Sequence, residues 1–179
     1  SPVGGQRAWG PVDAARDATA MGAHAARPRT LVVIVNYKVG PLVVECIRSL
    51  EREAFGAAGV RLADVTVVDN DSRDGSAAVI RDAIAANGWD AWVRLIESPV
   101  NGGFAFGNNT ALRDAAARGV AYEHLWLLNP DTVVRPGSLK ALTDHLDANP
   151  QAGLVGSSVE EDDHGTRWPY AFRFPSALS

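Results

Sequence analysis

The chain has 179 residues, of which 46% are hydrophobic and 21% charged, enough for one globular domain with a substantial core. A net charge of −4 argues against a general nucleic-acid binder, which shows a basic face. The single cysteine, Cys46, excludes an internal disulfide and a cysteine-rich zinc site.

Residues 1–29 are rich in Gly, Ala, Pro and Arg without a sustained apolar period, which predicts a flexible tail ahead of a domain over 30–179. The β-branched run Leu31-Val32-Val33-Ile34-Val35 reads as a buried first strand. Pro41 opens a helix with Leu42, Val43, Cys46, Ile47 and Leu50 on one face. Residues 65–68 form a second strand that runs into Asp69-Asn70-Asp71-Ser72. Asp74-Gly75-Ser76 supplies an N-cap for a helix with the stripe Val79, Ile80, Ala83 and Ile84, stopped by Asn87-Gly88. A third strand is expected at 92–96 and a helix at 104–118, ending at Gly119. A fourth strand at 124–128 leads to a helix at 136–148, with Leu139, Leu142 and Leu146 inward and Asn149-Pro150 as its stop. A fifth strand is expected at 154–159, with Asp162-Asp163-His164-Gly165 turning into an aromatic strand at 166–172.

Such alternation implies an α/β fold: a mostly parallel sheet with helices on both faces. Crossovers of one hand put all strand C-termini on one edge, so the loops after Val35, Val68, Ile96 and Leu128 share it. The apolar run Leu125-Trp126-Leu127-Leu128 ends abruptly in Asn129-Pro130-Asp131 and delivers a carboxylate to that edge, where α/β proteins bind ligands. Carboxylate oxygen suits Mg²⁺ or Mn²⁺, which bind through one or two carboxylates plus phosphate oxygens, so Asp131 is the metal-ligand candidate. The plainer alternative is that Asp131 and Thr132 only shape the turn. Asp69, at the end of the second strand, could accept hydrogen bonds from a ligand; alternatively Asp69, Asp71 and Ser72 satisfy backbone amides in a tight turn. Asp74 reads as a helix cap.

Asn101-Gly102-Gly103-Phe104-Ala105-Phe106-Gly107-Asn108-Asn109 leads into a helix. Glycines let the backbone approach a ligand, and helix N-terminal amides favour phosphate. The spacing is neither the dinucleotide fingerprint nor the P-loop. Asn is a poor helix former, so Asn108 or Asn109 is expected to have a hydrogen-bonding task. His24, His124, His145 and His164 have no metal-ligand spacing, and no nucleophile elbow is present.

Together these residues resemble the inverting family 2 glycosyltransferases of the rhamnosyltransferase-like branch. The segments that carry the resemblance are Val33-Ile34-Val35-Asn36-Tyr37, the run from Val67 through Asp69-Asn70-Asp71-Ser72 to Ser76, the run from Asn101 to Asn109, and Leu127-Leu128-Asn129-Pro130-Asp131-Thr132, in that order. The resemblance implies a GT-A fold, a Rossmann-like domain that binds a nucleotide-sugar. It places Asn36 and Tyr37 near the base and ribose, Asp69 at the base, and Asn70 among the residues that bind the nucleotide-sugar. Asn101, Gly102, Gly103, Phe104, Asn108 and Asn109 would line the donor site. Asn129 and Asp131 would stand in the Asp-x-Asp position, with Asp131 on a Mg²⁺ or Mn²⁺ that clamps the diphosphate. Asp71 and Phe106 depart from the commoner family residues.

Family members continue into an acceptor-binding half that carries an acidic catalytic base. Glu160, Glu161, Asp162 and Asp163 lie too early to match it, so no catalytic residue is assigned. The chain is expected to be truncated before that half and, alone, to transfer sugar poorly. The implied donor is dTDP-rhamnose or a UDP-sugar, and the acceptor a polysaccharide or its lipid-linked precursor. The apolar runs are too short to span a bilayer and no signal peptide is visible, so the expected location is cytoplasmic, at the inner face of the membrane through the acceptor. Trp168, Tyr170, Phe172 and Phe174 alternate like a strand with one aromatic face, which leads to an expectation of homodimerisation. The competing readings are a non-catalytic nucleotide-sugar-binding module, a nucleotidyltransferase and a dinucleotide oxidoreductase. The last two want glycine-rich loops after the first strand, which Asn36-Tyr37-Lys38-Val39-Gly40 does not supply.

Overall fold

The structure, a computed structural model, describes residues 28–56 and 59–158. In chain order the elements are β1 (Thr30–Asn36), α1 (Gly40–Leu50), β2 (Ala63–Asp69), α2 (Ser76–Asn87), β3 (Val93–Glu97), α3 (Gly103–Ala117), β4 (His124–Leu128) and α4 (Ser138–Ala148). The four strands form one parallel sheet in the order β3-β2-β1-β4.

Every residue of β1 is buried, as a central parallel strand covered on both faces requires. Val32 and Ile34 face one layer, made with Val65 and Val67 of β2, α1 (Val43, Cys46, Ile47, Leu50) and α2 (Ile80, Ile84). Leu31 and Val33 face the other, with Val68, Ala111 and Ala115 of α3. Each fully buried Val, Ile or Leu contributes about 1.5–3 kcal/mol. Leu139 of α4 joins the α1 layer. The chain therefore runs β1 to β2 to β3 with α1 and α2 on one face, then crosses back over the sheet on the other face with α3. The strand order reverses between β1 and β4, and in doubly wound sheets ligands bind in the crevice outside that junction.

The expected elements are present with small shifts. Trp89–Ala91 forms a 3-10 turn, so β3 starts at Val93 rather than at Trp92. The two Trp rings pack edge to face there, centroids 6.2 Å apart. Leu42 and Val79, expected inward, are 47% and 43% exposed, and Val44 takes an inward place on α1. Helix α4 begins at Ser138, after the left-handed Gly137 (φ 86°), and buries Leu139, while Leu142 and Leu146 are half-buried. The expected fifth strand is not seen over its described part: residues 154–158 have no strand structure and Leu154 is 89% exposed, so the apolar run there lacks a hydrogen-bonding neighbour among the described residues. Val159 and the aromatic strand at 166–172 lie outside the described residues, as do residues 1–27 of the expected tail. Arg29 belongs to the fold: its N–H donates to Leu62 O, and its carbonyl accepts from Glu123 and His124.

Candidate functional site

The sequence motifs meet at the C-terminal edge of the sheet. Asn36, Asp69 and Glu97 stand side by side in register at the ends of β1, β2 and β3. Asn36 Nδ2 donates to Asp69 Oδ1 at 2.6 Å and to Ser72 Oγ at 3.2 Å. Ser72 donates its hydroxyl to Asp69 Oδ1 (2.6 Å) and its N–H to Oδ2 (3.1 Å). Asn36 Oδ1 accepts Val39 N–H, and Ser72 Oγ accepts Lys38 N–H, so the loop after β1 is tied to the loop after β2. Asn36 and Asp69 are almost wholly buried, at 0% and 5% exposure. Buried carboxylates need such donors. Asp69 thus ties the turn together through two side-chain donors and one backbone amide, and three of its roughly four acceptor positions are taken.

The two loops are strained. Lys38 (φ 62°), Asp71 (φ 58°) and Arg73 (φ 54°) are non-glycine residues in the left-handed region, which costs about 1–3 kcal/mol each and clusters where structure serves function. Tyr37 is 46% exposed, with Lys38 Nζ 5.1 Å from its ring centroid. Asp71 is paired with Arg73 at 2.8 Å, which offsets the negative charge it would add beside an anionic ligand. Asp74 accepts Ser76 N–H at 3.0 Å, and its carboxyl is held below the usual range by its Ser76 hydrogen bonds, with help from nearby Lys38. It caps α2 from one residue before Gly75, which occupies the N-cap itself.

Asn70 joins this edge to the glycine segment. Its Nδ2 donates to Asn101 Oδ1 (2.8 Å) and Gly103 O (3.3 Å), and its Oδ1 accepts Gly102 N–H (3.3 Å). At 2% exposure, Asn70 spends its amide on the chain itself. The glycines here have structural reasons: Gly103 has φ 82°, and a Cβ on Gly107 would stand 2.7 Å from Val35 Cγ1. Asn108 is buried and donates to Phe104 O at 3.0 Å, while its Oδ1 has no partner among the described residues. Asn108, Asn109 and Phe104 line a groove with Leu125 and Leu127 of β4, apart from the Asn36–Asp69 network. So Asn36, Asp69, Asn70, Asn101, Gly102 and Gly103 form one hydrogen-bonded cluster with Tyr37 exposed beside it, and Phe104, Asn108 and Asn109 flank a second surface.

Across the β1/β4 junction, Leu128 pairs with Ile34 and the chain then turns. Thr132 N–H donates to Asn129 O at 3.3 Å, closing a β-turn with Pro130 at its favoured second position and Asp131 third. Asn129 and Asp131 are exposed. Beneath them Cys46 Sγ donates to Asn129 O at 3.8 Å. Burial pushes the Cys46 thiol up to about 12, with a further push from the Asp131 charge. Among the described residues no three His, Cys, Asp or Glu side chains cluster as a metal cage. The donor set is one exposed carboxylate, which fits a hard cation shared with the phosphates of a bound ligand.

Sequence reasoning offered Ser72 as a turn residue but did not single out the loop contacts of Cys46, Ser49 and Glu53. Ser72 was visible in the Asp-Asn-Asp-Ser run; the others carry no local signal because their partners are more than eighty residues away.

This arrangement defines a doubly wound α/β domain with a single carboxylate presented at the switch point. Over residues 31–178 the chain matches the Glycosyl transferase family 2 model, and it belongs to that family. It is 31% identical over 155 residues to the N-acetylglucosaminyl-diphospho-decaprenol L-rhamnosyltransferase of Mycobacterium tuberculosis, an alignment covering 82% of this chain and 46% of that protein. The chain thus spans about half the length of that curated relative. Among solved structures it resembles the mannosyltransferase PcManGT from Pyrobaculum calidifontis in complex with GDP-Man and Mn²⁺ (TM-score 0.59, 27% identity, 80% of this chain and 37% of that one). It also shares the fold of S. aureus TarS in complex with UDP (TM-score 0.53, 19% identity, 68% of this chain and 33% of that one). The fold is accordingly that of the GT-A glycosyltransferases.

Proposed function

We propose that the chain is the donor-binding part of a glycosyltransferase. It binds a nucleoside-diphosphate sugar, dTDP-rhamnose or a UDP-sugar, with Mg²⁺ or Mn²⁺, for inverting transfer to a polysaccharide or lipid-linked acceptor. The observation that carries this reading is the meeting of Asn36-Tyr37 and Asn129-Pro130-Asp131 on either side of the β1/β4 junction. The Asn36–Asp69–Ser72 network fixes the loops after β1 and β2 against which base and ribose would lie. Asn70 holds the Asn101–Gly103 segment beside them. Asp131 would hold the cation, which supplies charge stabilisation to the leaving diphosphate. The rhamnosyltransferase relative and the GDP-Man and Mn²⁺ bound to PcManGT support the donor class and the metal.

We further propose a cytoplasmic enzyme working at the inner face of the membrane; the diphospho-decaprenol in the relative's name motivates only the lipid-linked acceptor of this reading. Membrane fractionation tests this. Among the described residues no helix is long and apolar enough to cross a membrane. The edge strand β4 leaves Leu125 and Leu127 about half-exposed, which supports self-association through that edge. A concentration-independent monomer mass by light scattering would count against it.

The test of the donor site is calorimetric titration of UDP and dTDP, each with and without Mn²⁺, into the wild type and Asp131→Ala. Metal-enhanced binding that disappears in the variant is the expected result. Binding of neither nucleotide sinks the proposal. Binding without transfer to any offered acceptor would favour the non-catalytic module.

A further inference from the structure

The loop that carries Asp131 is held from one side by a stripe on α1 and the turn that follows it. Cys46 donates to Asn129 O, Ser49 Oγ accepts Val134 N–H at 2.9 Å, and Glu53 accepts Gly137 N–H at 2.8 Å and Leu139 N–H at 2.9 Å. Positions 46, 49 and 53 are spaced three and four apart, the spacing of one helical face. Glu53 is the strongest of these anchors. It is 8% exposed, and each carboxylate oxygen accepts one backbone amide at the start of α4, from the N-cap Gly137 and from Leu139. The N-cap of α4 is Gly137, which offers no side chain, so its own amide and that of Leu139 are satisfied by a carboxylate from a different part of the chain. A negative charge there also complements the helix dipole.

This clamp fixes the far end of the stretch 129–139, while the β-turn closed by Asn129 O fixes its near end. Asp131 itself is exposed. Its place at the switch point is therefore set by what holds the loop at either side. A loop that is ordered before binding spares the ligand the entropy of ordering it.

We infer that Glu53 is a positioning residue for the cation site: it anchors the Asp131 loop to the core, and its loss weakens cation binding while leaving metal-free nucleotide binding intact. The inference rests on the reading of Asp131 as the cation ligand. Glu53 would act through the loop and not by touching the cation. Groups that hydrogen-bond a metal ligand directly cost about 10–100-fold in metal affinity when removed, and Glu53, which acts one step further out, is expected at the lower end of that range.

The test is Glu53→Gln in the 179-residue chain. Glutamine keeps the shape but sets an NH₂ against one of the two backbone amides. Three quantities are measured: UDP and dTDP affinity without metal, the Mn²⁺ affinity of the nucleotide complex by electron paramagnetic resonance of free Mn²⁺, and amide exchange at Gly137 and Leu139 without metal. The expected result is unchanged metal-free nucleotide binding, faster exchange at both amides, and Mn²⁺ affinity lower by about tenfold or more. If the variant does not fold, Ser49→Ala, which removes the acceptor of Val134 N–H on the same loop, must show the same selective loss of Mn²⁺ affinity. A folded variant of either kind with wild-type Mn²⁺ affinity overturns the inference alone. Wild-type protein whose nucleotide binding ignores Mn²⁺ overturns both the inference and the reading of Asp131 beneath it.

Discussion

Asn36 at the end of β1 and Asp69 at the end of β2 face each other across 2.6 Å, an amide donating to a carboxylate with neither more than 5% exposed. The bond joins the ends of neighbouring parallel strands where the sheet presents its ligand edge. Removing one partner leaves the other buried and short of a hydrogen bond. Asn36→Ala is expected to lose about 1–3 kcal/mol of stability. Asn36→Asp, which sets two carboxylates against each other, is expected to lose more, about 3–5 kcal/mol. Urea denaturation with unchanged slope checks both. Equal stability of the two variants would mean that the carboxylate does not sense its neighbour's charge.

Asp131 should behave in the opposite way. It is exposed, and on the proposed reading its task lies with a ligand rather than with the fold. Asp131→Asn is expected to unfold within about 0.5 kcal/mol of the wild type and to lose the Mn²⁺-dependent part of nucleotide affinity. A large stability loss would assign Asp131 to the turn instead.

Gly107 lies inside α3, where alanine normally stabilises by about 1 kcal/mol. Here a Cβ would stand 2.7 Å and 2.9 Å from the two γ-carbons of Val35. Val35 is a rigid β-branched residue on the central strand and cannot give way without moving β1. Gly107→Ala is therefore expected to destabilise, by about 1–3 kcal/mol, despite its better helix propensity. Combining it with Val35→Ala should recover part of that loss, as a thermal-melt double-mutant cycle would show. Additive losses would place the clash elsewhere.

The strands and helices were legible because their apolar periods are strong: β1 is a run of β-branched and leucine residues, and α1 carries an amphipathic stripe. The edge on which the motifs meet followed from alternation alone. The fifth strand was misread because an apolar run such as Leu154-Val155 becomes a strand only beside a partner, and none is present among the described residues. In the site, the types of the polar residues were legible but not their employment. The carboxylate of Asp69 and the amide of Asn70 look the same in sequence whether they bind a ligand or a loop. Their partners Asn36 and Asn101 lie more than thirty residues away, and only the parallel register brings them together. Gly107 carried the same ambiguity, and its contact with Val35 resolves it toward packing.

Cys46 gives a pH prediction. It is fully buried beneath the Asn129–Asp131 turn, and burial raises its thiol from 9.0 to about 12, with the Asp131 charge adding to the rise. The folded state thus favours the neutral thiol. Its stabilising share is fully present below pH 9, where both folded and unfolded chains keep the proton. Above that, the unfolded chain ionises first, so stability falls by about 1.4 kcal/mol per pH unit until the folded thiol also ionises near pH 12. Cys46→Ala removes this loss and should flatten the alkaline limb, at the cost of a small cavity at neutral pH. Denaturation midpoints of both proteins from pH 8 to pH 11 read the difference, and a thiol reagent at pH 8 should leave the native wild type unlabelled until it unfolds, because the thiolate is the reactive form. Parallel alkaline limbs would place Cys46 in contact with water, and rapid native labelling would do the same, removing the thiol from beneath the Asp131 turn.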